Sequence, residues 1–259
     1  MLILLPPSEG KTAPRRGKPL DLETLSLPDL NPARGEVLDA LVALCEGDPG
    51  EAARVLGLGK TQQDEVERNA ALASAPTARA EQVYTGVLYE ALDLPSLTGA
   101  DKRRAGSWIA TTSSLFGLVR PGDRIPAYRL SGDVTLPGLG SVAGHWRARL
   151  EPAALAAAGD GLVLDLRSTT YAAFWRPAGD IADRLATVRV LHEVDGVRKS
   201  VSHFNKATKG RLVRALVTGG EHPRTPDQLV DVLRAQGWHV EVAGQDRFGT
   251  KLDVVVSDL

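Results

Sequence analysis

The hydrophobic positions of this 259-residue chain form short apolar runs and helical stripes. Leu2-Ile3-Leu4-Leu5 is an apolar run that stops at Pro6-Pro7, which predicts a buried strand followed by a loop at the edge of a sheet. Asp195-Gly196 lies between two β-rich runs and indicates a hairpin, because both turn residues need positive φ. The other predicted strands cover residues 108–112, 162–166, 188–193, 197–203, 239–243 and 251–256.

Apolar residues at helical spacing alternate with these strands. Pro226 is well placed for the first turn of a helix, and residues 8–32 are expected to form an ordered loop. Because helices and strands mix throughout, the fold class is predicted to be α/β or α+β, with a mixed, partly antiparallel sheet surrounded by helices. The predicted helices cover residues 35–46, two segments broken at Gly57-Leu58-Gly59, then residues 98–107, 141–158, 205–217 and 225–236.

Composition narrows the class of protein. The chain is 43% hydrophobic and 24% charged, which is ordinary for a globular protein, and its length fits one large domain or a domain with an inserted lobe. The net charge of -1 means that any attraction for nucleic acid must come from a local patch. A single cysteine, Cys45, excludes an internal disulfide and fits a reducing compartment. With no signal peptide or apolar run of membrane-spanning length, we expect a cytoplasmic protein without membrane contact.

Two common cofactor sites are not supported. Gly10-Lys11-Thr12 and Gly59-Lys60-Thr61 resemble the end of a nucleotide-binding P-loop, but the earlier glycine of that motif is replaced by Leu5 and Arg54. The five histidines (His145, His192, His203, His222 and His239) show no metal-ligand spacing. We therefore expect neither a bound cofactor nor a metal.

The Gly57-Leu58-Gly59 turn is the first candidate site. Between two short helices, such a turn resembles a helix-hairpin-helix element over residues 49–72, in which glycines let the backbone approach a phosphate. Lys60 adds a charge, and Thr61 is placed to cap the following helix. The alternative is a plain turn between helices with glycine at the C-cap.

The loop after the first strand is the second candidate, because strand-end loops often hold ligands in α/β folds. Lys11 could pair with a phosphate, and Ser8 and Thr12 could donate hydrogen bonds. The alternative is a solvated basic loop, since Arg15 and Arg16 follow.

Residues 113–130 are the third candidate, a loop punctuated by Pro and Gly after a predicted strand. Arg120 and Arg129 can make forked contacts with phosphate, and Tyr128 could stack or form a hydrogen bond. The alternative is a packed loop with surface arginines.

The basic segment 205–211 is the fourth candidate. Lys206 and Lys209 are three residues apart, so they share a helix face, and Arg211 follows. The alternative is a solvated basic face.

The order of these blocks resembles the bacterial peroxide-stress YaaA family. The resemblance spans nearly the whole chain. Its blocks are residues 8–12, Val83-Tyr84-Thr85-Gly86, residues 114–121, Tyr128-Arg129-Leu130, Trp146, residues 164–168 with Tyr171, and residues 206–210.

The resemblance implies one compact domain over residues 1–259, a helix-hairpin-helix element and a positively charged cleft. It implies a role in survival of hydrogen peroxide, a link to free intracellular iron, and binding of duplex DNA with a preference for distorted duplex. The family's binding residues, carried onto this chain, are Lys11, Tyr84, Thr85, Arg120, Tyr128, Arg129, Lys206 and Lys209 in the cleft, and Gly57, Gly59, Lys60 and Thr61 in the hairpin.

Two departures from the family pattern affect the cleft. The first loop, Pro-Pro-Ser-Glu-Gly-Lys-Thr, is longer than the family's Ser-Pro-x-Lys form. Asp165-Leu166-Arg167-Ser168 stands where Asn-Leu-Ala-Ser is usual, so Arg167 is expected to add a charge.

Two functional hypotheses follow. The first is a DNA-binding protein of the peroxide stress response that holds the DNA backbone in the basic cleft and protects it from oxidative damage. The second is an enzyme that acts on a nucleotide or another phosphate-bearing substrate, with Ser, Lys, Tyr and Arg of the same cleft as its reactive groups. Direct handling of iron is disfavoured because the histidines are scattered.

Overall fold

A computed structural model describes residues 1–199 and 202–257, apart from the side chains of Ser202 and His203. The strands are β1 (Leu2–Leu5), β2 (Ala78–Arg79), β3 (Ile109–Ser113), β4 (Gly117–Val119), β5 (Arg124–Ile125), β6 (Thr135–Leu136), β7 (Gly140–Ser141), β8 (Val163–Asp165), β9 (Leu185–Val194), β10 (Val197–Lys199), β11 (His239–Asp246) and β12 (Gly249–Val256). The α-helices are α1 (Asn31–Glu46), α2 (Pro49–Val55), α3 (Asp64–Ala70), α4 (Ala80–Val83), α5 (Val87–Leu92), α6 (Gly99–Trp108), α7 (Val142–Arg147), α8 (Leu150–Ala158), α9 (Thr169–Ala172), α10 (Ser202–Gly219) and α11 (Pro226–Ala235).

The main sheet confirms the predicted mixed α/β class. Its strand order is β11-β12-β9-β8-β1-β3-β4, and β10 pairs with β9. The five strands from β12 to β3 run parallel, whereas the outer strands β11 and β4 are antiparallel to their neighbours. All four residues of β1 are buried, as expected for a central strand covered on both faces.

The position of β1 creates a crevice. Strand β3 lies on one side of β1 in the sheet, and strand β8, which comes later in the chain, lies on the other side. In parallel sheets, the loops that leave the carboxyl ends of two such strands diverge and leave an opening between them. The loops after β1, β3 and β8 therefore border one crevice.

Several local predictions are confirmed. The β9–β10 hairpin turns at Asp195 and Gly196, which have φ of 51° and 74°. Helix α11 begins at Pro226, and the Thr225 side chain accepts a hydrogen bond from the amide of Gln228. The structure follows the sequence here because the turn and cap residues allow few other local conformations.

Other boundaries were predicted wrongly. The helix predicted over 141–158 is two helices, α7 and α8, separated by residues 148–149. The strand predicted over 197–203 ends at Lys199 and helix α10 has begun by Ser202; residues 200–201 lie outside the described part of the chain. Helix α1 starts at Asn31, inside the predicted loop, because Pro32 fits a first helical turn.

Gly210 allows α10 to pack closely on α5. A Cβ at this position would overlap the carbonyl oxygen of Leu88 and lie 2.9 Å from the Cβ of Ala91. Gly106 in α6, by contrast, has open space around it.

The same substitution should therefore have opposite effects at the two glycines. We expect Gly210→Ala to lower the free energy of unfolding by about 3 kcal/mol, because backbone atoms must move apart. Gly106→Ala should raise it by about 0.5–1 kcal/mol through helix propensity. Chemical denaturation of both variants checks this, and equal effects of one sign would contradict it.

No helix in the described part of the chain is long and apolar enough to span a membrane.

Candidate functional site

Polar and aromatic side chains converge at the carboxyl ends of β1, β3 and β8. Ser8 and Lys11 belong to the loop after β1, Ser113 ends β3, and Ser168 follows β8. Tyr84 joins them because Lys11 and Tyr84 form an isolated antiparallel bridge. The sheet topology thus assembles residues that are up to 160 positions apart.

Lys11 holds its amine among aromatic rings. Its Nζ donates a hydrogen bond to the carbonyl oxygen of Ser8 at 2.8 Å. The Nζ also lies 4.2 Å from the ring centroid of Tyr128 and 5.8 Å from that of Tyr84. Burial lowers the pKa of Lys11 to about 8, against the opposing effect of the Glu9 carboxylate.

Three hydroxyl groups form a buried chain beside Lys11. The Tyr84 and Tyr128 hydroxyls are 3.1 Å apart, and the Tyr128 hydroxyl is 2.8 Å from Ser113 Oγ. Burial raises the pKa of both tyrosines, so both phenols are neutral near pH 7. Neutral phenols can donate a proton or pass one along such a chain.

Ser8 and Thr85 shape the first loop. Ser8 Oγ donates to the carbonyl oxygen of Gly10 at 2.6 Å and accepts from the amide of Thr85 at 3.1 Å. Thr85 Oγ1 also donates to the Gly10 carbonyl at 3.3 Å. These hydroxyls fix the loop conformation, which places Lys11 over the Tyr128 ring.

Arg129 links the first loop to helix α3. Its Nη1 lies 2.9 Å from a carboxylate oxygen of Glu9, and it also donates to the Glu9 carbonyl at 3.2 Å. The backbone of Arg129 is held by the buried Asn69 side chain, which accepts from its amide at 2.9 Å and donates to its carbonyl at 2.7 Å. The guanidinium therefore has a defined position at the mouth of the site.

A cavity of about 320 Å³, here called the strand-end cavity, opens beside this cluster. Its volume lies at the lower end of the range of small-molecule sites. It is lined by Pro6, Pro7, Ser8, Glu9, Gly10, Thr85, Gly86, Val87, Leu88, Tyr89, Ser168, Tyr171 and Lys206.

Helix α10 brings two lysines to the same region, in agreement with their predicted shared face. Lys206 is exposed, and both Lys206 and Lys209 line an adjoining cavity next to Leu166. Lys209 Nζ donates to the Leu166 carbonyl at 3.1 Å, and burial lowers the pKa of this amine. Arg211 is exposed and lines neither of these cavities.

The segment predicted as a helix-hairpin-helix element contains α2, a turn with two glycines and α3. Gly57 has φ of 64°, and the Leu58 amide donates to the Ala53 carbonyl at 2.8 Å, which closes α2 with a Schellman-type cap. Gly59 has φ of -73° and donates its amide to the Gln62 side chain. The turn is exposed at Gly57, Gly59, Lys60 and Thr61.

The predicted capping role of Thr61 is wrong. Thr61 lies inside a short 3₁₀ turn, Lys60–Gln62, and α3 begins after Gln63 without a side-chain cap. The Gln62 side chain, rather than Thr61, organises the turn, because it reaches back to the Gly59 amide.

Comparison with known proteins identifies the family. The family model described as peroxide stress protein YaaA matches residues 1–243. The chain belongs to this family. A UPF0246 protein of Streptomyces coelicolor is 53% identical over 261 residues, covering 100% of both chains. A UPF0246 protein of Corynebacterium efficiens is 43% identical over 245 residues, covering 93% of this chain and 95% of the relative.

Most cleft residues suggested by the YaaA resemblance lie together, but Arg120 does not. Its Nη1 donates to the carbonyls of Ser107 and Ile109 at 2.7 and 3.1 Å, at the amino end of β3. Strand β4 runs antiparallel to β3 and carries the chain away from the crevice before Arg120 is reached.

The expected extra charge of Arg167 is also absent from the cleft. The Arg167 side chain is 1% exposed and makes a two-bond ion pair with Asp165, at 2.9 and 2.6 Å. It also donates to the carbonyls of Tyr171 and Trp175. The charges of Asp165 and Arg167 thus compensate each other inside the protein.

Sequence reasoning missed Asn69 and Tyr89. Tyr89 donates to the Pro6 carbonyl at 2.7 Å and thereby fixes the start of the first loop. Asn69 is three residues after the buried Val66, so a polar residue on the apolar face of α3 was an available signal. Among the described side chains, no three His, Cys, Asp or Glu residues come together as a metal site.

Proposed function

We propose that this YaaA family member binds the DNA backbone, in intact or distorted duplex, during peroxide stress and so protects DNA from oxidative damage. One observation carries the proposal: Arg129, which lines a cavity beside the hairpin turn, is ion-paired with Glu9, which lines the strand-end cavity together with Lys206 of α10. We take these two cavities together as the candidate DNA-binding surface.

The surface can be followed from cavity to cavity. Arg129 lines a cavity of about 460 Å³ together with residues 54–57 of the hairpin. The Arg129 guanidinium pairs with Glu9, and Glu9 lines the strand-end cavity together with Lys206. We call five positively charged residues the cationic strip: Arg54, Arg129 and Lys206, which line these two cavities, Lys209, which lines the adjoining cavity, and Lys60, which lies three residues beyond Gly57 in the exposed turn.

The chemistry of the strip suits phosphate rather than bases. Arginine and lysine contacts with phosphate position DNA without reading its sequence. At Gly57 the backbone is exposed and carries no side chain, so a phosphate could approach the turn closely. Because the net charge is only -1, binding should depend on this strip rather than on the charge of the whole protein.

Removing two exposed lysines of the strip should weaken DNA binding. In Lys60→Ala/Lys206→Ala, we expect the slope of log K against log salt to become shallower by about 1.8, or about 0.9 for each lost phosphate contact. Both side chains are exposed, so the fold should be unaffected. Fluorescence anisotropy with a duplex containing an unpaired bubble, and with the intact duplex, measures the slope across a salt series.

The matched control is Arg224→Ala. Arg224 is also exposed, but it lies at the opposite edge of the sheet, where its charge helps to lower the pKa of the Met1 amino group. Its loss should leave the slope unchanged. The proposal fails if the wild-type protein binds neither duplex at low salt, or if the control and the double variant lose affinity equally.

A further inference from the structure

Lys11 is an unusual lysine for a binding surface. Backbone phosphate contacts are served best by exposed ammonium groups, as on Lys60 and Lys206. The Lys11 amine instead lies against two tyrosine rings and makes one short hydrogen bond, to the Ser8 carbonyl. In the described part of the chain, no carboxylate forms an ion pair with it. An ammonium has three protons to donate, and among the described residues it forms one hydrogen bond here, so burial favours the neutral amine despite the ring contacts.

The surrounding charges do not restore the pKa of Lys11 to that of an ordinary lysine. Burial is the largest influence on the pKa of Lys11; Glu9 and Glu65 oppose it, and Arg129 acts in the same direction as burial. With a pKa of about 8, roughly a quarter of the amines are neutral at about pH 7.5, compared with about a thousandth for an ordinary lysine. A neutral lysine amine is a nucleophile for carbonyl groups.

The neighbouring groups suit the steps of imine formation. The Tyr84–Tyr128–Ser113 hydroxyl chain offers neutral proton donors next to the amine. The Tyr128 ring face, 4.2 Å from Nζ, stabilises the positive charge of an iminium. Lys11 is partly exposed, and Glu9 and Gly10, which precede it, line the strand-end cavity.

We propose that Lys11 forms an imine with the C1′ aldehyde of a base-free deoxyribose in DNA. The inference rests on the proposed DNA binding, since Arg129 and Lys206 would hold the phosphates on either side of the sugar. A sugar that has lost its base is small enough for the strand-end cavity of about 320 Å³. Its open-chain form carries the aldehyde that an amine can attack.

The step balances without an oxidant or a metal. The Nζ lone pair attacks C1′, a C–N bond forms, and the carbonyl oxygen takes a proton to give a carbinolamine. The hydroxyl then leaves as water, so that the oxygen and the two amine protons depart together and a C=N bond remains. Protonation of that nitrogen gives the iminium, which water hydrolyses to return the free amine.

Borohydride trapping tests the inference. A duplex with one abasic site is incubated with the protein and sodium cyanoborohydride, which delivers hydride to the iminium carbon and makes the link permanent. We expect a covalent protein–DNA species whose DNA-bearing peptide carries the adduct on Lys11. Lys11→Arg keeps a positive charge but has no neutral amine, so we expect adduct formation to fall at least about 100-fold.

Peptide mapping uses the wild-type protein, so its result does not depend on whether a variant folds. The Met1 amino group is the main competitor, because its pKa is also lowered by burial, but it lies next to His222 at the opposite edge of the sheet. An adduct on Met1 or Lys206 instead of Lys11 would overturn the inference. A rate that does not rise between about pH 6 and pH 8 would also overturn it, since only the neutral amine reacts.

A duplex with a tetrahydrofuran analogue in place of the abasic sugar separates the two proposals. The analogue has no aldehyde, so it should bind without trapping. If the analogue binds but the abasic duplex gives no adduct, the Lys11 inference is wrong and DNA binding stands. If neither duplex binds, the proposed function is wrong, and the inference that rests on it falls too.

Discussion

Replacing Arg34 by methionine should lower the free energy of unfolding by about 4 kcal/mol. The Arg34 side chain is fully buried in α1 and donates to the carbonyls of Ser26, Phe116 and Leu118 at 2.8–3.0 Å. Without it, these carbonyls lose their partner inside the protein, and each unsatisfied group costs about 1–3 kcal/mol. Urea denaturation followed by circular dichroism measures the difference.

Arg103→Met is the matched control for Arg34. Arg103 also lies on a helix, α6, but it is exposed, so its loss should change stability by no more than about 0.5 kcal/mol. Burial lowers the pKa of Arg34 to about 10, which still leaves the guanidinium charged at neutral pH. A loss of less than about 1 kcal/mol in Arg34→Met would show that the three carbonyls find other donors.

The second large effect is expected at the end of β8. Arg167→Ala should destabilise the protein by about 3–5 kcal/mol, because Asp165 is left as a buried charge without its partner. The double variant Asp165→Asn/Arg167→Ala removes both buried charges, and we expect it to recover at least about half of that loss.

Thermal denaturation of Asp165→Asn, Arg167→Ala and the double variant completes a double-mutant cycle. Arg176→Ala is the exposed control. Additive effects at Asp165 and Arg167 would show that the pair contributes no coupling energy. The strand-end cavity should be disturbed as well in the single variant, because Arg167 binds the Tyr171 carbonyl and Tyr171 lines that cavity.

The sequence predicted the parts of the fold that depend on local chemistry. Thr225 and Pro226 start a helix, Asp195-Gly196 makes a hairpin, and the apolar run of β1 is a buried strand, because each pattern has few physical alternatives. Strand β4 was not predicted. Its three buried residues, Gly117–Val119, are too few to show a period, and only pairing with β3 makes them a strand.

The residues of the candidate site were predicted only in part. The order of blocks along the chain was enough to select Lys11, Tyr84, Tyr128 and Lys206, which the structure brings to one region. It could not place Arg120, because the direction of β4 depends on a pairing that no local pattern encodes. Nor could it show that Arg167 would turn inward, since that depends on the carboxylate two residues earlier.

The central position of β1 has a consequence for folding. Strand β1 pairs with residues 109–111 on one side and 163–165 on the other, so its two neighbours lie more than 100 and about 160 positions away. Contacts between such distant segments close large loops, and they form slowly. During synthesis the first loop remains in solvent until the segments that form β3 and β8 have been made. Until then the Lys11 amine is solvated like that of an exposed lysine, and its lowered pKa arises only when the sheet and the tyrosines pack around it.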